Sequence, residues 1–89
     1  MDLTIWKYEL KAVDEQDITM PRGARILTVQ AQYGTAHLWA MVTPDSKPEK
    51  RKIHIRRTGD STSSSCSHEN YIGTFQLEGG ELVFHVFAD

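Results

Sequence analysis

The stretch that most constrains the fold is the C-terminal segment Asn70 to Asp89. There, two runs rich in β-branched and aromatic residues flank Gly79-Gly80. A Gly-Gly pair between such runs signals a two-residue hairpin loop, because glycine reaches the positive φ values that tight hairpin turns require. With this pair as the loop, Glu78 faces Glu81, Leu77 faces Leu82, Phe75 faces Phe84, Gly73 faces Val86 and Tyr71 faces Ala88. Side chains alternate along a strand, so Tyr71, Phe75, Leu77, Leu82, Phe84 and Val86 share one apolar face. Thr74, Gln76, Glu78, Glu81 and His85 fall on the other, together with Ile72, Val83 and Phe87. A slip of one residue mixes the two sets, so the register is well specified.

Ala24 to Thr43 repeats the plan around Tyr33-Gly34. Gln32 then faces Thr35, Ala31 faces Ala36, Val29 faces Leu38, Leu27 faces Ala40 and Arg25 faces Val42. One face collects Leu27, Val29, Ala31, Ala36, Leu38, Ala40 and Val42. The other is polar near the tip, with His37, and apolar toward the base, with Ile26, Trp39 and Met41. The clean faces of the two hairpins read as halves of one core. The apolar bases of the second faces need another cover, either the N-terminal strand or a partner.

The rest of the chain is read by the same alternation. Thr4 to Leu10 is a half-buried strand, with Trp6, Tyr8 and Leu10 on one side and Ile5, Lys7 and Glu9 on the other. Val13 to Asp17 reads as a turn or a loose helical turn. Ile18 and Met20 suit a short strand, and Pro21-Arg22-Gly23 suits a type I turn begun by Met20. Pro44 to Lys50 is a loop by composition. Arg51 to Thr58 is an edge strand, with Ile53 and Ile55 inward and Lys52, His54, Arg56 and Thr58 outward. Gly59 to Glu69 holds five serines and no apolar periodicity, so a flexible Ser-rich loop is expected over 59–69. No segment has a helical period. The expected fold is all-β, one domain over residues 1–89: a small antiparallel barrel or sandwich of six or seven strands built on two hairpins.

Charge sharpens the reading. Lys47, Lys50, Arg51, Lys52, Arg56 and Arg57 sit together with only Glu49 among them, a local charge of +5 that leaves −7 for the remainder of a chain whose net charge is −2. Such a run is either a solvated edge guarded by charges or a surface for phosphates or an acidic protein. Lys52, His54 and Arg56 on one strand face step by about 7 Å, close to a phosphate spacing. Aromatic residues are not interleaved with these cations, so base stacking at this strand is not expected. His37 and His85 hold matching places on the two hairpins, each two residues before an aromatic, and are candidates to flank a shallow pocket with Gln30, Thr74 and Gln76.

Other chemistry finds little support. Cys66-Ser67-His68 offers one thiol and one imidazole, short of the four closely spaced ligands a zinc site needs. A lone cysteine precludes an internal disulfide. The carboxylates are dispersed over turns and tips, so no acid and base pair is legible. No cofactor and no enzymatic activity are expected. No apolar run approaches the roughly 20 residues that span a bilayer, and the N-terminus lacks a basic-then-apolar leader, so a cytoplasmic location without membrane contact is expected.

Several segments also carry a resemblance. Thr4-Ile5-Trp6-Lys7-Tyr8-Glu9-Leu10, Met20 to Gln30, Leu38-Trp39-Ala40, Tyr71-Ile72-Gly73-Thr74-Phe75-Gln76 and Leu82-Val83-Phe84-His85-Val86-Phe87 resemble a family of small bacteriophage and prophage proteins. The resemblance spans nearly the whole chain and brings no catalytic residues. It implies a phage accessory protein in the host cytoplasm that counteracts host defence by stoichiometric binding of a host protein or nucleoprotein. Lys50, Arg51, Lys52, His54, Arg56, Arg57, Trp39, His37 and His85 are the candidate binding residues. The alternatives are sequestration of an anionic nucleotide between subunits, with Arg56, Arg57 or Lys52 on phosphate and Trp39 or Tyr33 on the base, or a virion assembly protein. A homo-oligomer is expected in both.

Overall fold

A computed structural model describes residues 2–89. The described chain forms seven strands: β1 (Thr4–Glu9), β2 (Glu15–Pro21), β3 (Arg25–Gln32), β4 (Thr35–Val42), β5 (Pro48–Arg57), β6 (Tyr71–Leu77) and β7 (Leu82–Ala88). Short 3₁₀ turns occupy His68–Asn70 and Glu78–Gly80. All pairings are antiparallel. The strands make two sheets, ordered β1-β4-β3 and β2-β5-β7-β6. Of the two architectures compatible with the sequence, this is the sandwich.

Both hairpins form with the expected pairing near their tips. Leu77 pairs with Leu82, Phe75 with Phe84 and Gly73 with Val86. Gln32 pairs with Thr35, Ala31 with Ala36 and Val29 with Leu38. Tyr33 and Gly34 have φ of 54° and 79°, the two positive values of a type I′ turn whose twist matches the flanking strands. Toward each base a bulge shifts the register. One falls at Leu27, so Ala40 meets Ile26 and Met41 meets Arg25. The other falls at Ile72, so Tyr71 meets Phe87 instead of Ala88. An extra residue on one strand reverses the facing of everything beyond it. Ile26 therefore packs against the core while Leu27 is 42% exposed, the reverse of the expectation.

Four further expectations are corrected. Val13 to Asp17 is not a helical turn; β2 begins at Glu15 and alternates, with Glu15, Asp17 and Thr19 exposed and Met20 buried. The turn after it runs from Pro21 to Ala24, and Gly23 at φ 81° gives it the type II pattern. Strand β5 is not an edge: it lies between β2 and β7. Strand β1 does not cover the outer face of β4. It joins β4 edge to edge, pairing Ile5 with Met41, Lys7 with Trp39 and Glu9 with His37.

The core lies between the sheets. Val29, Leu38, Ala40 and Val42 from one meet Ile53, Ile55, Phe75, Phe84 and Val86 from the other, with Leu10 and Met20 filling the ends. Phe75 and Phe84 stack with ring centroids 5.1 Å apart. Along one side β3 and β6 approach so closely that a Cβ on Gly73 would lie 3.1 Å from Val29 Cγ1. A side chain there would crowd the seam and make Val29 give way by a few tenths of an ångström.

Candidate functional site

The cationic segment is split by the pleat of β5. Arg51, Ile53 and Ile55 point inward; Lys50, Lys52, His54 and Arg56 point outward. Arg51 belongs to the fold. Its Nη1 donates to the Ala24 carbonyl at 2.7 Å, and its Nε donates to the Asp89 carbonyl at 2.9 Å. Arg56 is likewise engaged, with Nη1 donating to the carbonyls of Asp14 and Ile55, each at 2.9 Å. Arg57 is exposed. The Asp60 carboxylate accepts its main-chain N–H at 2.9 Å and lies 3.4 Å from its Nε. The main-chain hydrogen bond first, and the guanidinium beside it, hold the Asp60 carboxyl below its ordinary pKa. Lys50 and Lys52 remain exposed.

His54 faces outward as expected, yet it is 1% exposed. It sits between its cross-strand neighbours Glu15 and Phe87. Its Nε2 is 3.2 Å from Asp89 Oδ1; because a carboxylate only accepts, Nε2 carries the proton. Its Nδ1 is 3.5 Å from Glu15 Oε1 and makes no hydrogen bond. Strand β2 also places Asp17 directly opposite Lys52. The outer face of β5 is thus a checkerboard, with acidic residues against the cations. Among the described residues no group of three or more His, Cys, Asp or Glu side chains converges to hold a metal.

His37 and His85 are not brought together. They lie on β4 and β7, in different sheets, and both point away from the core. Two hairpins that pack clean face to clean face turn their second faces apart, so the pocket shared with Gln30, Thr74 and Gln76 does not form. His37 Nδ1 donates to the Thr35 carbonyl at 3.0 Å, and its ring is 6.1 Å from Trp39. His85 has both ring nitrogens bonded to hydroxyls: Thr74 Oγ1 at 3.0 Å and Thr58 Oγ1 at 2.7 Å. Trp39 and Tyr33 likewise lie across the molecule from Lys52 and Arg56.

The outer face of the three-stranded sheet carries an apolar strip. Ile5, Met41 and Arg25 form one row across it, then Lys7, Trp39 and Thr28, then Glu9, His37 and Gln30. Leu27 is pushed out beside them by the bulge. Ile5 is 54% exposed. Lys7 reaches across this face, its Nζ donating to Gln32 Oε1 at 2.9 Å. Ile5 belongs to the strip because β1 lies beside β4. Its outward facing was legible in the alternation of β1, but its neighbours were not. Leu27 had no signal at all, since nothing local announced the bulge.

A second feature lies under the Ser-rich segment. Thr62, Cys66, Ser67, His68, Tyr71 and Phe87 line an open groove of about 660 Å³. Tyr71 and Phe87 meet edge to face at 5.6 Å on its floor. Asn70 ties the segment, its Nδ2 donating to the Ser65 carbonyl at 2.6 Å and its Oδ1 accepting the Ser67 N–H at 2.8 Å. Among the described residues that line it, His68 is the only basic side chain. No lysine or arginine is there to receive a phosphate.

No curated protein and no solved structure matches the chain. The family model described as "Domain of unknown function (DUF7352)" matches residues 1–89, and the chain belongs to that family.

Proposed function

We propose that the protein is a non-enzymatic phage accessory protein that counteracts host defence by stoichiometric binding of a host protein or nucleoprotein in the host cytoplasm. The observation that carries this reading is the apolar strip of Ile5, Leu27, Trp39 and Met41 on the outer face of the three-stranded sheet, with Ile5 and Leu27 exposed and Trp39 and Met41 half-buried. An apolar sheet face rimmed by Lys7, Arg25 and His37 has the composition of a protein interface, with an apolar centre and a polar rim. The hydrogen-bonding state of the histidines supports binding over catalysis. His85 is bonded at both nitrogens, while His37 and His54 each spend one on the fold. The acidic neighbours along β2 argue against a nucleic-acid track on β5.

The docking surface of this proposal differs from the combination expected from sequence, because the cationic strand and the apolar strip lie on opposite faces. A second reading, capture of an anionic nucleotide between subunits, draws on Tyr33, which is 97% exposed at the β3–β4 turn. Only a second subunit brings such a ring near Lys52 or Arg57.

Native mass spectrometry of the protein isolated from a bacterial host tests both. The docking reading expects a host protein bound at fixed stoichiometry, lost in Met41→Glu and Trp39→Glu and retained in Lys50→Glu and Lys52→Glu. Retention in the strip variants, or loss in the lysine variants, overturns it. A nucleotide mass released on unfolding establishes the second reading instead.

A further inference from the structure

The four lateral edges of the two sheets are not equally protected. The edges of β3 and β6 close on each other at the Gly73–Val29 seam. The edge of β2 carries Glu15 and Asp17 and ends in Pro21, residues that discourage strand pairing. Strand β1 carries one charge of each sign, Lys7 and Glu9, and no other such device. It reads Thr-Ile-Trp-Lys-Tyr-Glu, without proline, glycine or bulge, and five of its six residues are exposed. Its one lysine is exposed and makes a surface hydrogen bond from Nζ to Gln32 Oε1.

The polar groups of that edge can be assigned. Leu10 N–H donates to the Ala36 carbonyl at 2.9 Å, in continuation of the β1–β4 ladder. Bonded pairs alternate in an antiparallel ladder, so Tyr8 and Trp6 also direct their main-chain groups toward β4. Ile5, Lys7 and Glu9 therefore direct theirs outward.

We propose that this edge pairs with the same edge of a second copy of the chain, antiparallel about a two-fold axis at Tyr8, to give a continuous six-stranded sheet. Charge selects both the occupant and the register. An axis at Tyr8 sets Lys7 opposite Glu9 of the second copy and Glu9 opposite its Lys7, with all four main chains in outward, bondable positions. An axis at Lys7 sets lysine against lysine, and an axis at Trp6 leaves Lys7 opposite isoleucine. Directly opposed charges stabilise or destabilise a strand pair according to sign, so only the first register is self-complementary. Its symmetry is closed, which stops growth at the dimer. Pairing also places the apolar strips of the two copies on one surface, although the inference stands independently of what docks there.

Sedimentation velocity on the full chain, with no host protein present, tests it. A monomer–dimer equilibrium is expected over micromolar to millimolar concentrations. Lys7→Glu and Glu9→Lys each create two like-charge pairs, and each is expected to raise the dissociation constant at least about tenfold. The double variant Lys7→Glu/Glu9→Lys restores both pairs with reversed sign and is expected to return dimerisation to the wild-type level. Thermal melts establish that each variant is folded, and the two single variants serve as replicates of one another. A wild-type chain that stays monomeric overturns the proposal and leaves the edge to a strand of another protein. So does a folded double variant that fails to recover, or single variants that dimerise as well as wild type.

Discussion

Arg51 and Lys52 are neighbours in one cationic run, and the structure assigns them opposite roles. Consider Arg51→Met, which retains an unbranched stem beside Met20 and removes the guanidinium. Two hydrogen bonds to main-chain oxygens are lost, with a weak 3.9 Å contact to Met20 Sδ. The bond to the Asp89 carbonyl lies at the surface, where water replaces it. The 2.7 Å bond to the Ala24 carbonyl is part-buried, on a residue that is itself buried, where water replaces it less readily. A charge-assisted bond to a buried acceptor is worth about 1.5–3 kcal/mol, so the expected loss is about 2 kcal/mol. A domain of this size has roughly 4–13 kcal/mol in total, and with a urea slope near 1 kcal/mol/M the midpoint should fall by about 2 M. Lys52→Met changes an exposed side chain with no such bond and should stay within about 0.5 kcal/mol of wild type. Urea titrations followed by tryptophan fluorescence measure both. If Arg51→Met melts with the wild type, or if Lys52→Met loses as much, the inward assignment of Arg51 is wrong and the run is a uniform surface patch.

Two further outcomes are expected. Phe84→Ala should cost about 3–4 kcal/mol: it removes the stacked partner of Phe75, and the space left opens onto the groove lined by Ala12, Val13 and Asp14, which limits the cavity penalty. A loss below about 1 kcal/mol in the same titration would mean that the Phe75–Phe84 pair does not anchor the core. The Tyr8 hydroxyl is buried without a partner, and burial pushes its pKa above the ordinary 10.0. The neutral phenol is the form the fold favours, so stability present below about pH 10 should be lost as pH rises through the raised value. Tyr8→Phe should remove that component, seen as a smaller drop in urea midpoint between about pH 8 and about pH 11. An identical drop in both proteins would refute it.

The candidate surface was partly legible before the fold. Ile5 shares a face with Lys7 and Glu9 by simple alternation, and Trp39 and Met41 fall on the second face of their hairpin by the same count. What no local pattern carried is that Ile5 and Met41 are neighbours, since that follows from β1 choosing the edge of β4. Leu27 illustrates a different loss. A bulge is decided by how a strand bends to meet the opposing sheet, so the residues around it give no periodic warning. His54 illustrates a third: it takes its expected place in the pleat, but its burial depends on Glu15 and Phe87 from two separately encoded strands.

Local pattern was enough for the strand content, both hairpins, their register near the turns and most of the apolar core. These follow from a two-residue period and from glycine at turns, both of which act over a few residues. Which strands share a sheet, the interior place of β5, the service of Arg51 and Arg56 to the fold, and the opposite facing of the basic strand and the apolar strip all emerge with the assembled sheets. Those outcomes depend on competition among strand edges far apart in the chain. An edge is covered or left open according to every other pairing made at once, and no residue on it records the result.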